Sequence, residues 1–185
     1  MQVTNTELAG VLLIEPKVFG DERGYFLETW ARERYRQAGV SAEFIQDNLS
    51  KSRRGTLRGL HLQHPHGQAK LVYVVTGEVY DVAVDVRVGS PTFGRWYGTF
   101  LSETNKRQLF IPSGYAHGFC VTSDEAIFAY KCSDGYHPET ELTIAYDDPG
   151  LGVTWPVTSP TLSKKDTAGI RLADIDRARL PRFAR

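Results

Sequence analysis

The chain has 185 residues, which is enough for one domain over residues 1–185 with a substantial core, and short for two. Lysine plus arginine and aspartate plus glutamate each number 22, so no overall field attracts a nucleic acid or a membrane surface. The sequence has no signal peptide and no apolar stretch of bilayer length, which predicts a cytoplasmic location.

Short extended segments dominate the first third of the chain. The apolar run at residues 10–14 predicts a strand. Residues 18–26 predict a strand, a turn and a second strand, with aspartate and glycine in the turn. Residues 29–39 predict a helix, because an apolar side is followed by a terminal glycine. Extended structure returns over residues 44–49, and residues 50–55 read as a basic, polar connection.

From residue 56 to residue 146 the sequence predicts a succession of short strands. Residues 78–87 alternate most strongly between an apolar and a charged side. The apolar side is Tyr80, Val82, Val84 and Val86, and the other side carries Asp81, Asp85 and Arg87. Further strands are predicted at residues 95–101, 108–111, 119–122 and 126–132. This spacing favours an antiparallel sandwich or barrel, and a short helix is predicted to begin at Ser163.

Residues 57–77 place three polar side chains on two consecutive strand-like segments joined by a short loop. Alternation with a period of two puts Arg58 on the same face as Leu60, and His61 on the opposite face. Lys70 begins the second segment, which is otherwise apolar, and a buried ammonium group without a partner is costly. An anionic ligand or a developing oxyanion would offset that cost.

The two cysteines, Cys120 and Cys132, lie within apolar runs. Their spacing is not that of a metal knuckle. Buried free thiols in a reducing compartment are therefore favoured over a disulfide.

A histidine pattern raises the alternative of a metal site. His64, His66 and a later glycine follow the spacing of the first motif of metal-binding cupins, and residues 112–119, which include His117, are similar to the second. Lys70 stands where those proteins have a glutamate ligand, and a cationic side chain repels a divalent metal. Histidines exposed in a loop are therefore favoured over a three-histidine site.

Four further polar residues each have a structural alternative to a functional role. Tyr130 shares a strand face with apolar neighbours and could be a core tyrosine. Asp166 follows Ser163 at the spacing of a capping box and could serve only to cap a helix. His61 alone could be a hydrogen-bonded core histidine, and Arg23 alone could be a solvated turn residue.

These residues belong to a set of nine motifs that extend from about residue 8 to about residue 166. The motifs are DERGYF (21–26), FIQDNLS (44–50), LRGLHLQ (57–63), QAKLV (68–72), GSPTFG (89–94), PSGYAHGF (112–119), YKC (130–132), DDP (147–149) and LSKKD (162–166). In these motifs the sequence resembles the dTDP-4-dehydrorhamnose 3,5-epimerase family, a metal-free branch of the cupins. In that family a lysine in place of the metal carboxylate is the usual pattern.

The resemblance implies an all-β fold, a cupin-type antiparallel jelly-roll β-barrel with a few short helices. It implies a homodimer in which N-terminal strands are exchanged between subunits. It also implies a dTDP-linked 4-keto-6-deoxyhexose as substrate, with no cofactor and no metal, and with no nucleic acid or membrane as partner.

The same resemblance implies roles for individual residues. His61 corresponds to the general base, Asp166 to its orienting partner, Tyr130 to the general acid on the other sugar face, and Lys70 to a cation near the 4-keto oxygen. Further positions match residues that bind the nucleotide sugar, with Arg23 and Glu28 expected to reach the partner subunit's site. These positions are Phe19, Arg23, Glu28, Gln46, Asn48, Arg58, His117, Tyr136 and Glu141.

The implied activity is inversion of C3 and C5 of dTDP-4-dehydro-6-deoxy-D-glucose to give dTDP-4-dehydro-L-rhamnose. Two departures from the family pattern lie near the implied pocket: the LTIAY segment after Glu141, and the HPHGQ loop. A relative that inverts only C3 or only C5 therefore stays open. A metal-binding cupin, such as a dioxygenase, and a sugar-binding module without turnover are the alternatives from other classes.

Overall fold

The computed structural model describes residues 1–183, in which short strands predominate. The strands are β1 (Gln2–Asn5), β2 (Leu12–Glu15), β3 (Val18–Asp21), β4 (Gly24–Leu27), β5 (Gln46–Arg53), β6 (Leu57–Gln63), β7 (Lys70–Thr76), β8 (Glu78–Asp85), β9 (Trp96–Ser102), β10 (Gln108–Ile111), β11 (Tyr115–Val121), β12 (Glu125–Cys132) and β13 (Glu141–Thr143). The α-helices are α1 (Arg32–Gln37) and α2 (Lys164–Thr167), and three single 3₁₀ turns lie at Pro138–Thr140, Leu172–Asp174 and Arg177–Arg179. No helix within residues 1–183 has the length and apolar character needed to span a bilayer.

The strands form two large antiparallel sheets and a separate hairpin. The six-stranded sheet has the order β1-β2-β10-β7-β12-β5, and the five-stranded sheet has the order β13-β6-β11-β8-β9. Strands β3 and β4 form the hairpin. The predicted antiparallel jelly roll with a few short helices is confirmed.

Apolar side chains from both large sheets form the central core. Val72 and Phe128 of the six-stranded sheet belong to the same buried cluster as Ala83 and Phe119 of the five-stranded sheet. The outer face of each sheet is also covered: Tyr35 of α1 packs on one, and the segment after residue 150 packs on the other. Strands covered on both faces tolerate few exposed positions, which is why every residue of β11 is buried.

Strand β8 shows how the second covering layer changes the meaning of an alternating pattern. Val82 and Val84, on its predicted apolar side, pack under the C-terminal segment on the outside of the sheet. The other side faces the interior between the sheets, where both Asp81 and Asp85 are fully buried. Arg87 lies beside Asp85 and donates hydrogen bonds to its carboxylate.

Several predicted boundaries shift because tertiary pairing extends the strands. Residues 50–55, predicted as a connection, belong largely to β5, which pairs with β12 as far as Arg53. Strand β11 begins at Tyr115, four residues before the predicted strand, because it pairs with β8 along its whole length. The helix α1 is shorter than the predicted segment 29–39, and β1 was not predicted.

The predicted state of the cysteines is confirmed. Cys120 and Cys132 are both buried and unpaired. Burial raises the pKa of the Cys120 thiol to about 11, so this group is an inert apolar side chain at neutral pH.

Candidate active site

A cavity of about 600 Å³ is lined by residues from both large sheets and from the segment around α2. Its volume is in the range of small-molecule sites. The lining side chains are Gln46, Asn48, Ser50, Arg58, His61, Leu62, Gln63, Gln68, Lys70, His117, Phe119, Phe128, Tyr130, Cys132, Tyr136, Glu141, Ser163, Lys165 and Asp166. All four predicted catalytic residues are therefore brought together, although β6 and β7 belong to different sheets.

A bulge in β6 places Arg58 and His61 in the same cavity. His61 lies opposite His117 of β11, whereas Arg58 lies opposite Phe119, so two residues of β6 face one residue of β11. An extra residue reverses the alternation of the side chains that follow it. Gly59 occupies this position with a φ of +139°, where a Cβ would lie 2.4 Å from the backbone of β11. The expectation that Arg58 and His61 occupy opposite faces is therefore wrong.

Asp166 connects His61 to helix α2. His61 Nε2 lies 2.6 Å from Asp166 Oδ1, and Ser163 Oγ donates a hydrogen bond of 2.6 Å to Asp166 Oδ2. The backbone N–H of Asp166 donates to Ser163 Oγ, so Ser163 also caps α2. Burial opposes the charged form of Asp166, but the hydrogen bonds from His61 and Ser163 lower the pKa of this carboxyl to about 2. The capping role and the contact with the imidazole are both present, and they use different atoms of Asp166.

The ionised Asp166 carboxylate fixes the tautomer of the His61 ring. A carboxylate only accepts hydrogen bonds, so Nε2–H of His61 is the donor, and Nδ1 of the neutral ring is left to accept a proton. Burial lowers the pKa of His61 against the opposing effect of Asp166, and the Lys165 and Lys70 ammonium groups lower the pKa further. His61 is therefore a neutral base near pH 7.

Lys70 reaches the cavity from the six-stranded sheet. It lies opposite Cys132 of β12, which lies opposite Gln46 of β5. Burial lowers the pKa of the Lys70 ammonium group. No group of residues 1–183 accepts a hydrogen bond from it, so the cation faces the cavity without a protein partner.

Tyr130 lies two residues before Cys132 and therefore lines the same side of the sheet. Its ring packs on Phe128, with the two ring centroids 5.9 Å apart, so the core interpretation is correct for the ring. Burial raises the pKa of the Tyr130 hydroxyl, which keeps this group protonated. Within the described chain the hydroxyl has no hydrogen-bond partner.

Polar side chains form the rest of the lining. Glu141 accepts a hydrogen bond from the Tyr136 hydroxyl at 2.9 Å and pairs with Lys165 at 2.8 Å. Gln46 Nε2 donates to Asn48 Oδ1 at 3.0 Å. The Arg58 guanidinium group donates two hydrogen bonds to the hydroxyl of Ser52 in β5.

The His117 ring contacts a buried aspartate and, within the described chain, does not lie in a cluster of metal-ligating side chains. Its Nε2 lies 2.9 Å from a carboxylate oxygen of Asp81, and both side chains are buried. In residues 1–183 the structure does not gather His64 and His66 with His117 into a group that could hold an ion. The three-histidine metal site considered from the sequence is therefore not formed.

Three predicted binding residues lie apart from this cavity. Phe19 and Arg23 belong to the β3–β4 hairpin and line a separate shallow surface, where Arg23 pairs with Asp21. Glu28 pairs with Arg34 of α1. One chain alone therefore does not bring Phe19, Arg23 and Glu28 to the other site residues.

Several lining residues were missed by sequence reasoning. Ser50 follows Gln46 and Asn48 at a spacing of two, so strand alternation could have identified it. Its hydroxyl is buried and has no hydrogen-bond partner within residues 1–183. Lys165 stands within the LSKKD motif beside Asp166, but nothing in the sequence alone distinguishes it from Lys164.

Comparison with known proteins identifies the family. The sequence profile described as dTDP-4-dehydrorhamnose 3,5-epimerase matches residues 5–174. A protein of Shigella flexneri named dTDP-4-dehydrorhamnose 3,5-epimerase is 53% identical over 178 residues, which cover 95% of this chain and 98% of the relative. A Streptomyces niveus protein named dTDP-4-dehydrorhamnose 3-epimerase is 42% identical, with 100% of this chain and 90% of the relative covered.

A solved structure agrees over the whole length. The dTDP-6-deoxy-D-glucose-3,5-epimerase of Legionella pneumophila Philadelphia 1, in complex with dTDP-4-keto-L-rhamnose, is similar with a TM-score of 0.97 and 52% identity. The match covers 100% of this chain and 99% of that one. The chain belongs to the dTDP-4-dehydrorhamnose 3,5-epimerase family.

Proposed function

We propose that this protein is a dTDP-4-dehydrorhamnose 3,5-epimerase, which converts dTDP-4-dehydro-6-deoxy-D-glucose to dTDP-4-dehydro-L-rhamnose. One observation carries the proposal: a carboxylate-held imidazole, an ammonium group with no hydrogen-bond partner in residues 1–183 and a protonated phenol line one cavity. Enolisation next to a ketone needs a base, a stabiliser of the enolate oxygen and an acid. His61, Lys70 and Tyr130 have the matching chemistry.

His61 is the proposed base. Hydrogens on C3 and C5 are acidic because the resulting carbanion is delocalised onto the 4-keto oxygen. Nδ1 of the neutral ring accepts such a proton, and the Asp166 carboxylate then stabilises the imidazolium that forms. The low pKa of His61 keeps the base unprotonated before each abstraction.

Lys70 is the proposed stabiliser of the enolate oxygen. Its burial weakens the hydration of the ammonium group, and no carboxylate of residues 1–183 forms an ion pair with it. A preorganised cation in such a position lowers the barrier as negative charge develops on the ketone oxygen.

Tyr130 is the proposed acid. Inversion requires that the proton return to the face opposite the one from which it left. Tyr130 stands on β12 of the six-stranded sheet, whereas His61 stands on β6 of the five-stranded sheet, so a sugar ring between the two sheets would meet them on different faces. The raised pKa of Tyr130 keeps the proton available.

Arg58, Gln46, Asn48, His117 and Glu141 are the proposed contacts of the nucleotide sugar. They line the cavity with the catalytic groups, and a guanidinium group suits a diphosphate because it donates two parallel hydrogen bonds. Tyr136, at the same rim, offers a ring for the nucleotide portion. Every step uses side chains of this protein, so the proposal includes no cofactor.

We further propose a homodimer in which the N-terminal hairpin of one chain completes the site of the other. Phe19 and Phe26 of the β3–β4 hairpin are more than half exposed, and Tyr25 beside them is exposed to a similar degree. An exposed apolar patch of this kind is typical of a protein interface. The arrangement would bring Phe19, Arg23 and Glu28 to the partner's cavity. A single domain over residues 1–185 and a cytoplasmic location, in keeping with two unpaired cysteines, complete the proposal.

The test is turnover of dTDP-4-dehydro-6-deoxy-D-glucose in D₂O, with the product trapped by a 4-reductase and read by NMR. We expect deuterium at both C3 and C5, and inversion at both carbons. Absence of deuterium at both C3 and C5 would contradict the proposed enolisation, and absence of deuterium at one of them would contradict inversion at both carbons.

Inversion at one carbon only is the second candidate. The Streptomyces niveus relative named as a 3-epimerase matches this chain over its whole length, and the LTIAY segment after Glu141 departs from the family pattern beside the cavity. The same NMR experiment separates the two activities, since label and inversion at a single carbon would favour this candidate.

A further inference from the structure

Two histidines and an aspartate form a second polar cluster beside the cavity, and none of them has a part in the proposed reaction. We propose that His66, Asp134 and His137 bind a divalent transition-metal ion, for which Zn²⁺ is the probe. One ligand atom from each residue lies within 4.8 Å of the other two. Two imidazoles and one carboxylate are a common donor set for zinc, with water in the fourth position.

Each of the two histidines has a ring nitrogen close to the Asp134 carboxylate. His66 Nδ1 lies 3.7 Å from Asp134 Oδ2, and His137 Nε2 lies 3.6 Å from Asp134 Oδ1. Zinc bonds of about 2.0–2.1 Å at tetrahedral angles separate neighbouring ligand atoms by roughly 3.3–3.4 Å. The distances from His66 and His137 end on different oxygens of Asp134, and the two rings are stacked, so binding one ion requires rotation of the carboxylate and tilting of the rings.

The second nitrogen of His137 lies near another carboxylate. Glu139 Oε1 lies 3.5 Å from His137 Nδ1, on the side of the ring away from Asp134. A carboxylate at the non-coordinating nitrogen fixes the tautomer and raises the basicity of the coordinating one. The rings of His66 and His137 are adjacent, with centroids 4.2 Å apart, and would have to tilt out of their stacked arrangement to share an ion.

A buried glutamine holds the two loops that carry the cluster. Gln63 Nε2 donates to the carbonyl oxygens of His66 and Gly135, and Gln63 Oε1 accepts from the backbone N–H of His137. These bonds fix the backbone of His66 and the segment that follows Asp134 before any ion binds, which lowers the ordering cost of binding. The cluster itself is accessible, because the His66 side chain is half exposed.

The position of the cluster indicates what a bound ion would do. Tyr136, which lies between Asp134 and His137 in the chain, lines the rim of the cavity and bonds Glu141. An ion joining His66 to His137 would clamp the rim segment to the HPHGQ loop. The site would stabilise the rim without contacting the reacting sugar, and the inference holds whether or not the proposed reaction is correct.

The test is calorimetric titration of the metal-stripped protein with ZnCl₂, together with thermal unfolding with and without zinc. We expect one Zn²⁺ per chain and a higher unfolding temperature in zinc. His66→Asn and His137→Asn should each weaken binding at least about tenfold and remove the thermal shift. His64→Asn, two residues from His66 and outside the cluster, is the matched control and should bind as the unaltered protein does.

Ring ¹⁵N resonances provide a measurement that does not depend on stability. Zinc should shift the signals of His66 and His137 and leave those of His61, His64 and His117 in place. Absence of binding, or binding that survives both His66→Asn and His137→Asn, would overturn the proposal.

Discussion

The two sides of the cavity differ in how their polar groups are satisfied. On the side formed by β6 and α2, which we call the histidine side, His61, Asp166 and Ser163 form a continuous chain of hydrogen bonds. On the side formed by β5, β7 and β12, which we call the lysine side, Lys70 and Tyr130 have no hydrogen-bond partners within residues 1–183. The catalytic groups of the histidine side are therefore hydrogen-bonded within the described chain, whereas those of the lysine side have donors left for a ligand.

This difference follows from the chemistry each side would perform. A base has to be in the correct tautomer and orientation before the substrate binds, and a buried ionised carboxylate ensures both. A stabiliser of the enolate oxygen and an acid have to donate hydrogen bonds to the substrate itself. Partners within the protein would compete for those donors.

Removing the base should have the largest effect and should abolish the function of the histidine side. In His61→Asn, both hydrogen exchange and inversion should fall by about 10²–10⁴-fold, because the side chain that accepts the proton is lost. NMR of the sugar in D₂O measures both rates, and His64→Asn is the control with the same change of residue type. Retention of normal exchange in His61→Asn would remove His61 from the mechanism.

Removing the acid should separate the two sides. In Tyr130→Phe, inversion should fall by about 10²–10⁴-fold, since the proton has no donor on the second face. Exchange at the carbon facing His61 should persist, because the base and Lys70 are unchanged. The same NMR experiment reports label without inversion, and full epimerisation by this variant would be incompatible with the role of Tyr130.

Removing the cation should slow the chemical step more than it weakens binding. In Lys70→Met, kcat should fall by about 10²–10³-fold with a smaller change in KM, because the charge acts mainly on the developing enolate. Steady-state kinetics with the coupled 4-reductase give both constants. An equal loss in the two, or an unchanged kcat, would argue against contact with the ketone oxygen.

The smallest expected effect is a shift of the acid limb of the pH profile. The neutral form of His61 is the active one, so kcat/KM falls about tenfold per pH unit below its pKa, which burial holds below the usual value of a histidine. The Lys165 ammonium group lowers that pKa, so Lys165→Gln should move the acid limb to higher pH. Lys164→Gln is the neighbouring control and should leave the limb in place. Equal profiles for the two variants would show that Lys165 does not act on His61.

The sequence predicted the residue set of the cavity better than its geometry. Lys70 was identifiable because an ammonium group at the start of an apolar strand is costly to bury without an anionic partner. The motifs identified His61, Tyr130 and Asp166 by resemblance. The bulge at Gly59 was not predictable, because it depends on how β6 pairs with β11, which is distant in sequence.

Other features depended on layers that a pattern of alternation does not reveal. Strand β8 has two covered faces, so its valines pack under the C-terminal segment while Asp81 faces inward and holds His117. The cluster of His66 with Asp134 and His137 joins loops 68 residues or more apart in sequence, through the side chain of Gln63. No local sequence pattern indicates that these two loops are in contact.

A crystal structure with a dTDP-linked 4-keto-6-deoxyhexose bound tests the difference between the two sides most directly. We expect Lys70 Nζ at about 2.7–3.2 Å from the 4-keto oxygen, with His61 Nδ1 on one face of the sugar ring and the Tyr130 hydroxyl on the other. His61 and Tyr130 on the same face of the ring, or a ketone oxygen out of reach of Lys70, would contradict this division of roles.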